Sequence, residues 1–515
     1  MMIKKVVYIV LAVLILIGLG LGAWWYLSGS GSPTPTPLPQ EPVGYQYPAS
    51  AEEIDWQDRS VFQAGLTESA AKILKELPQA SSYFISLDIP SDLVSGITGH
   101  QIVRYFNNED EPLKEIYFRL FPNYQGGQME VSHLTVDGGA MIPSYESENT
   151  ALRVDLTEPL QPGDSLVMEM DFELGVPTEM GGNYGLYGYF EDVLVLDTFY
   201  PLIPVYDDSG WYSQYPQNNG DHTYNDASFY IVQVTAPADL VLASSGVIVD
   251  RQLGDSTQTT VIASGPSRDF YLAGSRMFSE INQQVGDVMV RVLTRPEYSV
   301  NQEFALDYAV NAVEIYSDRV GPYPYSEFEV MSSPMLALGI EYPGITSIVV
   351  DEFVDGIDLY GLPSEQMLES TLAHEAGHMW FYNVVGNDQQ NQPWVDEALV
   401  QYLTYIYYLD RYGNGSGYVD SWESRWDRVA DADIPIGLPA GEYHGAEYSG
   451  IVYGRGPLFF YELESEYGLD MVMSAIQDYY QENLWGIGYA DEIQDALERS
   501  CGCDLSAEFA EWVYE

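Results

Sequence analysis

Two histidines and a glutamate in one short run, His374-Glu375-Ala376-Gly377-His378, are residue types that hold a catalytic metal ion. On a helix, residues four apart lie on one face, so both imidazoles can reach a single Zn²⁺. Catalytic zinc takes three protein ligands and leaves a fourth position for water, beside which Glu375 would project. Zinc lowers the pKa of that water and the neighbouring carboxylate takes its proton, which is the chemistry of HExxH peptide hydrolysis.

The third metal ligand is predicted on the next helix. Glu397 lies in the segment PWVDEALVQY, with 18 residues between it and His378. Two helices joined by a loop of that size can present two imidazoles and one carboxylate to a single point. The chain has only six histidines, and two of them fall in this motif. The pattern predicts one Zn²⁺ per chain, bound by His374, His378 and Glu397; the alternative is two exposed helix histidines beside a solvated glutamate.

The charge composition excludes two classes of partner. The chain has 20 Lys and Arg against 77 Asp and Glu, a formal net charge of −57. Such a surface repels nucleic acid and anionic lipid headgroups, so neither is expected as a partner. The acidity favours a surface adapted for solubility over an acidic binding face, because net charge governs solubility rather than fold.

A membrane anchor is predicted near the N-terminus. Residues 6–27 are 22 positions without a charge, long enough to cross a bilayer as a helix. Lys4 and Lys5 precede this stretch, and no Lys or Arg follows it until Arg59. The positive-inside rule then places residues 1–5 in the cytoplasm and predicts a single-pass protein of the cell membrane with an extracytoplasmic catalytic domain. A cleaved signal peptide is the alternative, and the length of the apolar stretch argues against it.

Two glycines within the predicted anchor, Gly18 and Gly22, have the small-xxx-small spacing of transmembrane helix dimers, a weak signal for a homodimer. Residues 28–50 follow the anchor and are rich in Gly, Ser, Pro and Thr. This composition predicts an extended linker that holds the rest of the chain away from the membrane.

The rest of the chain divides into three predicted parts. Residues 51–80 have the periodicity of short helices. Residues 81–280 contain short runs rich in β-branched and aromatic residues between Gly, Pro and Asn turns, which predicts an antiparallel, β-sandwich-like domain. Residues 281–515 have helical periodicity with one short strand region and carry the metal motif, so the predicted fold class is α+β. Cys501 and Cys503 are assigned no catalytic role.

The metal motif and several other segments resemble one known family. HExxH, 18 residues and then a glutamate in a WxxE context resembles the gluzincin family of aminopeptidase N and leukotriene hydrolase. The run GIEYP at 339–343 stands where the family has Gly-x-Met-Glu-Asn, and YGRG at 453–456 resembles its Tyr-x-Lys-Gly. The resemblance covers about residues 80–515. It implies a saddle-like β-domain followed by a thermolysin-like, mostly helical zinc catalytic domain.

The resemblance also implies roles for the residues that match the family's reaction centre. His374, His378 and Glu397 match the zinc ligands. Glu375 matches the general base, and Tyr453 matches the tyrosine that donates to the oxyanion.

A second set of residues matches the family's substrate-binding positions. Glu341 matches the glutamate that binds the free α-amino group of the substrate, and Gly339 precedes it in the same motif. Tyr448 matches a second tyrosine near the oxyanion donor. Two residues depart from the family: Tyr342 replaces an asparagine, and Arg455 replaces a lysine while keeping its positive charge.

Three functions are consistent with these residues. The leading prediction is an aminopeptidase that hydrolyses the N-terminal peptide bond of oligopeptides with a free N-terminus. The second is an endopeptidase that uses the same zinc site, with Glu341 only as a polar wall of a subsite. The third is a catalytically weak peptide-binding or scaffold protein. Glu375 and Tyr453 favour an enzyme, because a binding module needs neither a base nor an oxyanion donor beside a metal ion.

Overall fold

The computed structural model describes residues 44–181, 183–217, 219–430 and 434–514. The predicted cytoplasmic tip, the predicted anchor at 6–27 and the linker up to residue 43 lie outside the described residues and stay predictions. Of the helices within the described residues, none combines the length and the apolar composition that crossing a membrane requires.

Strands dominate the first part of the described chain. The predicted order, a strand-rich region followed by a helix-rich region, is the one that the structure shows. The strands are β1 (Ser82–Asp88), β2 (Ile97–Phe106), β3 (Leu113–Arg119), β4 (Gln128–Val136), β5 (Gly139–Ala140), β6 (Ser144–Glu146), β7 (Ala151–Leu160), β8 (Ser165–Gly175), β9 (Tyr187–Phe190), β10 (Val193–Leu196), β11 (Tyr206–Asp207), β12 (Gly210–Trp211), β13 (Ser228–Pro237), β14 (Val241–Ser244), β15 (Val247–Leu253), β16 (Thr257–Ser267), β17 (Leu272–Ser275), β18 (Ser279–Val285), β19 (Val288–Thr294), β20 (Glu327–Ser333), β21 (Gly339–Tyr342), β22 (Ile345–Val349), β23 (Asp358–Leu359) and β24 (Leu362–Pro363).

Helices dominate the second part. They are α1 (Ile73–Glu76), α2 (Ser299–Arg319), α3 (Ser364–Gly377), α4 (Trp394–Tyr412), α5 (Ser416–Trp426), α6 (Glu447–Gly450), α7 (Gly456–Tyr467), α8 (Leu469–Glu482), α9 (Ala490–Cys501) and α10 (Ser506–Phe509). A π-helical turn, Ile451–Arg455, joins α6 to α7. A disulfide joins Cys501 and Cys503 at the end of α9.

The β-domain is built on an eight-stranded sheet of order β15-β16-β13-β1-β2-β8-β4-β5. Strand β8 shows why these residues form a sheet with one buried face: every second residue from Leu166 to Leu174 is apolar and buried. A three-stranded sheet, β3-β7-β6, contributes Phe118 and Leu152 to the same core as Met168 and Phe172 of β8. The two sheets therefore pack as layers around one apolar core, as the predicted sandwich-like arrangement requires.

One pairing in this sheet differs from the predicted antiparallel arrangement. Strands β1 and β13 pair in parallel, with Ser82 opposite Phe229 and Asp88 opposite Thr235. Parallel neighbours need a long crossover connection, and here the chain forms several other strands between β1 and β13. Local alternation identifies a strand but not its partner, so the residue pattern could not reveal this pairing.

The second domain contains a five-stranded sheet of order β18-β19-β20-β22-β21, and β21 lies at its edge. Helix α2 packs on this sheet: its Ala305, Ala309 and Tyr316 share a core with Val290 of β19 and Val330 of β20. The predicted strand region between the first two long helices corresponds to β20, β21 and β22. Strand β18 contains the predicted domain boundary at residue 280 and β19 follows it, and both belong to this second sheet.

The predicted helical segment at 51–80 is mostly not α-helical. It contains 3₁₀ turns at Ala51–Glu53 and Ser60–Gly65 and only four α-helical residues in α1. The segment packs on both domains instead: the Phe62 ring lies 4.9 Å from that of Phe229 in the β-domain, and Thr67 N–H donates to Pro324 O of the second domain. Short isolated helices are only marginally stable in water, so tertiary contacts determine the conformation of this segment.

A buried arginine of the β-domain holds the segment that follows the metal motif. Arg268 is 2% exposed, and its guanidinium donates to the main-chain carbonyl oxygens of Asn383 at 2.9 Å and Val384 at 3.0 Å. It also donates to Asn225 O and Gly486 O. Because a planar guanidinium carries five N–H donors in a rigid fork, this one side chain fixes several main-chain segments together.

Candidate active site

The two motif histidines lie at the C-terminal end of α3. His374 is in its last turn and His378 caps it, so the four-residue spacing places both imidazoles on one face. Their Nε2 atoms lie 3.3 Å apart. The remaining faces of α3 are filled by Leu368, Leu372 and Ala376, which are fully buried and hold the helix against the domain core.

The predicted third ligand reaches the same point from α4. The first 14 residues of this helix, Trp394–Tyr407, are all buried, which makes it a core helix. Gly413, with a left-handed φ of 71°, ends it. Glu397 Oε2 lies 3.2 Å from His374 Nε2 and 3.5 Å from His378 Nε2. The structure therefore brings the three predicted ligands together.

The donor atoms of these three residues have the spacing of zinc ligands. A tetrahedral zinc ion with bonds of about 2.0–2.1 Å separates its ligand atoms by about 3.3–3.4 Å. The observed separations of 3.2, 3.3 and 3.5 Å match this value. Glu397 Oε2 is buried and accepts no well-formed hydrogen bond from the described residues. Two imidazole nitrogens and an unsatisfied carboxylate oxygen that face one another suit a cation between them.

Neighbouring groups orient the ligands. His378 Nδ1 lies 3.1 Å from Phe381 O, so Nδ1–H donates to that carbonyl and Nε2 keeps its lone pair for the metal. Gln401, which accepts a hydrogen bond from the indole of Trp422, contacts His374 Nδ1 at 3.3 Å. The contact between His378 Nδ1 and Phe381 O is the kind that sets the tautomer and ring orientation of a metal ligand.

The pKa values of the cluster show how strongly its groups interact. Burial acts to raise the pKa of Glu397, but its interactions with His374 and His378 outweigh burial and hold that pKa well below its ordinary value. Burial raises the pKa of Glu375 and of Glu341, whose other acidic neighbours add to the effect. A bound divalent cation would favour the ionised form of such carboxylates.

The predicted base, Glu375, lies against the edge strand β21. It is 5% exposed, and a Cβ atom placed on Gly339 would lie only 2.4 Å from Glu375 Oε1. Any side chain at 339 would therefore displace the carboxylate. The structure gives Gly339 a reason to be glycine that is separate from its predicted place in substrate binding: it lets β21 pass directly against Glu375.

The two predicted tyrosines lie on the other side of the cluster. Tyr453, in the π-helical turn, donates its hydroxyl to Glu397 Oε1, and its ring lies 6.0 Å from the ring of His374. The Tyr448 ring is 5.7 Å from that of Tyr453. Its hydroxyl is buried and makes no hydrogen bond to any described residue. Both phenols are therefore within the site, and only that of Tyr453 contacts a metal ligand.

Arg455 does not face the cluster, which corrects its predicted role in substrate binding. Its guanidinium donates to the carbonyl oxygens of Ile434 and Glu511 and lies over the rings of Trp426 and Trp512. These contacts place it between α5 and the C-terminal segment. On the turn Tyr453–Arg455, side chains two residues apart point in different directions. The motif therefore predicted a positive charge at position 455 but not the direction in which the side chain points.

Glu341 is buried two residues along β21 from Gly339. Because residues two apart in a strand face the same side, Glu341 points to the face on which Gly339 meets Glu375. Its Oε1 atom lies 3.9 Å from His378 Nδ1 and accepts a hydrogen bond of 3.2 Å from Gln389 Nε2. The predicted amine-binding carboxylate thus lies beside the metal ligands.

The β-domain closes the space next to Glu341, which sequence reasoning missed. A cavity of about 20 Å³, room for one water-sized group, is lined by Glu341 together with Phe121, Asp197 and Asp221 of the β-domain. Burial, followed by the charge of Glu341, raises the pKa of the Asp221 carboxyl well above its ordinary value. In a chain with 77 acidic residues, no local signal distinguishes Asp221 from the others.

The sequence is similar to those of known peptidases. Residues 304–512 match the peptidase family M1 domain. Aminopeptidase M1-B of Oryza sativa subsp. japonica is 23% identical over 293 residues, which cover 54% of this chain and 33% of that protein. Probable aminopeptidase 2 of Sulfurisphaera tokodaii is 24% identical over 310 residues, 57% of this chain and 39% of that protein. The chain thus spans only about a third of the length of these curated relatives.

A solved structure extends the similarity to nearly all of the described residues. The M1 zinc metallopeptidase from Deinococcus radiodurans superposes with a TM-score of 0.62 at 18% identity, covering 85% of this chain and 94% of that one. At this identity the likeness shows the fold. The fold and the cluster of His374, His378 and Glu397 match the features of gluzincin-type zinc metallopeptidases. The match of residues 304–512 to the family M1 domain and the similarity to these aminopeptidases support the resemblance to aminopeptidase N-like peptidases.

Proposed function

We propose that this protein is a zinc aminopeptidase that removes N-terminal residues from oligopeptides. The observation that carries the proposal is the position of Glu341, a carboxylate beside the metal ligands at the closed end of the site. A carboxylate there can hold the cationic α-amino group of a peptide. The peptide bond one residue away then lies at the metal cluster, so only the first bond is placed for cleavage.

The closure by the β-domain supports exopeptidase over endopeptidase action. An endopeptidase needs room for substrate residues on both sides of the scissile bond. The space between Glu341 and the β-domain residues Phe121 and Asp221 is small, about 20 Å³, which favours a single small group at this end of the site. An ammonium group fits this size and the carboxyl groups of Glu341, Asp197 and Asp221 that line the space.

The residues of the chain divide the reaction among them. Zinc, when bound, supplies a Lewis acid that polarises the scissile carbonyl and increases the nucleophilicity of water. Glu375 takes the proton of the attacking water and can return it to the departing amine. The Tyr453 hydroxyl, which in the structure donates to Glu397 Oε1, is the nearby donor for the carbonyl oxygen as negative charge develops.

Replacing Glu341 with alanine tests the exopeptidase assignment. We expect kcat/KM for free-amine peptides to fall about 10–100-fold, since a hydrogen bond to a charged group contributes about 1.5–3 kcal/mol. N-acetylated peptides of the same sequence should be cleaved slowly by the wild type and be little affected by the change. The measurement is steady-state kinetics on matched free and acetylated peptides.

Glu369→Gln is a suitable control, because Glu369 is also buried but its carboxylate accepts from Tyr407 and Tyr412, away from the metal cluster. Equal loss on both kinds of peptide in Glu341→Ala, or efficient cleavage of acetylated peptides by the wild type, would favour the endopeptidase. Binding of peptides without cleavage of either kind would favour the scaffold protein.

We also propose that the catalytic domain works outside the cytoplasm, held by an anchor at 6–27. The support is the uncharged stretch and the position of Lys4 and Lys5 before it. Protease added to intact cells should remove the catalytic domain and leave a membrane-bound N-terminal fragment. Protection of the whole protein in intact cells would contradict this orientation, and a mature N-terminus beyond residue 27 would indicate a cleaved signal peptide.

A further inference from the structure

A buried glutamine in the segment between the two metal-binding helices makes three side-chain hydrogen bonds at the site. Gln389 is 2% exposed. Its Nε2 donates to Glu341 Oε1 at 3.2 Å and to Asp396 Oδ2 at 3.0 Å. Its Oε1 accepts from Thr223 Oγ1 at 2.9 Å. Only the nitrogen of an amide can face two carboxylates, so these partners define the orientation of the side chain.

The partners of Gln389 belong to three different parts of the site. Glu341, on the edge strand β21, is the proposed amine-binding carboxylate. Asp396 is in the first turn of α4, and its Oδ1 accepts from the N–H of the metal ligand Glu397 at 2.8 Å. Thr223 belongs to a β-domain loop that contains residues 219–223. One amide therefore connects the amine site, the helix of the third metal ligand and the β-domain.

The next residue fastens the same β-domain loop to the catalytic domain. Gln390 Nε2 donates to Asn219 O at 3.2 Å and to Asp221 O at 2.6 Å. Its Oε1 accepts from Gln217 N–H at 3.1 Å. The loop that bears Thr223 is thus held in place independently of Gln389, and it can act as a fixed support for the Gln389 amide.

Glu341 needs such a support because of its charge. Ligand oxygens of Glu341 and Asp396 lie within 4.8 Å of each other in a buried region. At that distance two carboxylates repel one another, and the low local dielectric strengthens the repulsion. The two N–H groups of Gln389 lie between them and satisfy one oxygen of each. Without these donors, Glu341 would be free to turn away from the position in which it meets a substrate ammonium.

We infer that Gln389 is a positioning residue that gives the enzyme its preference for substrates with a free α-amino group, by holding Glu341 in place. This inference rests on the proposed aminopeptidase function. Gln389 contacts neither the predicted metal ligands nor Glu375, so its effect is on substrate binding through Glu341 and not on the chemical step.

The test is Gln389→Met, which keeps the length of the side chain and removes its hydrogen bonds. We expect KM for a free-amine dipeptide amide to rise at least about tenfold, the effect of losing a hydrogen bond to a charged group. kcat should stay within about threefold, and zinc content should stay at one per chain. The ratio of kcat/KM for free against N-acetylated peptide should fall by the same factor as KM rises.

Gln258→Met is the matched control. Gln258 is a buried glutamine of the β-domain, 1% exposed, whose Nε2 donates to Pro237 O and Leu240 O. Its loss should lower the melting temperature and leave the free-to-acetylated ratio at the wild-type value. A purely structural role for Gln389 would give the same outcome as this control.

A second variant covers the case in which Gln389→Met fails to fold. Thr223→Val removes only the hydroxyl that donates to Gln389 Oε1, and we expect a smaller fall in the ratio, about threefold. An unchanged ratio in whichever of the two variants is folded, or equal losses on free and acetylated peptides, would overturn the inference. A wild-type enzyme that does not prefer free N-termini would instead refute the proposed function, so the two failures are distinguishable.

Discussion

Glu375→Gln is expected to lower kcat about 10²–10⁴-fold, the usual contribution of a general base, while the protein stays folded and binds one zinc per chain. Glutamine has nearly the same shape as glutamate, so it fits the narrow space against Gly339, where a Cβ atom would come within 2.4 Å of the carboxylate. Its amide cannot take the proton of the attacking water. The expected loss is therefore chemical and not structural.

Glu369→Gln is the matched control for this experiment. Glu369 lies on the same helix, α3, and is also buried, but its carboxylate accepts from Tyr407 and Tyr412 away from the metal cluster. This variant should lose some thermal stability and keep kcat within about threefold of wild type. If Glu375→Gln kept more than a tenth of the wild-type kcat with full zinc content, Glu375 would not be the base.

Tyr453→Phe is expected to lower kcat about 10²–10³-fold with a much smaller change in KM. A donor aimed at the carbonyl oxygen matters most after attack has begun, so its loss raises the barrier more than it weakens substrate binding. The buried position of the tyrosine favours a neutral phenol, because burial and then the charge of Glu397 raise its pKa well above the ordinary value. The hydroxyl can therefore donate a hydrogen bond without ionising.

The hydrogen bond from Tyr453 to Glu397 Oε1 suggests a second role that the same experiment separates. If the tyrosine only oriented the third ligand, Tyr453→Phe would weaken zinc binding. Its kcat would then be near normal once the site is saturated with zinc. Kinetics should therefore be measured with zinc content checked. A kcat within about threefold of wild type at full occupancy would reject the oxyanion role.

Tyr448→Phe provides the comparison. Its ring lies 5.7 Å from that of Tyr453, but its hydroxyl makes no well-formed hydrogen bond to the described residues. We expect a smaller loss of kcat than for Tyr453→Phe. If Tyr453→Phe were nearly normal and Tyr448→Phe severely impaired, Tyr448 would take the role of the donor.

The metal ligands could be predicted from the sequence because their arrangement is mostly local. His374 and His378 are related by one helical turn, and helical periodicity alone places them on one face. Glu397 follows on the next predicted helix after 18 intervening residues, a spacing that can be counted in the sequence. The strands of the β-domain could also be predicted from local signals. Alternating apolar residues and β-branched residues indicate a half-buried strand, whichever strand it pairs with.

The directions of single side chains within the site could not be predicted in the same way. Arg455 matches a motif position by its charge, yet it binds main-chain carbonyls near the C-terminal segment. Gly339 was predicted from its place in a motif, but the physical reason for it is the contact with Glu375 on another element. Residue type states what a side chain can do, whereas its surroundings decide which atoms it meets.

The sequence by itself determined the reaction centre: two imidazoles and a carboxylate within two neighbouring helices, with a base beside them. Only the tertiary structure decided how the substrate side of that centre is closed. Thr223 and Asp221 meet Gln389 and Glu341 across more than a hundred residues of chain, through contacts between two domains. Glutamine, threonine and aspartate have no local pattern that marks such partners, because their hydrogen bonds are chosen by packing and burial after the domains have folded.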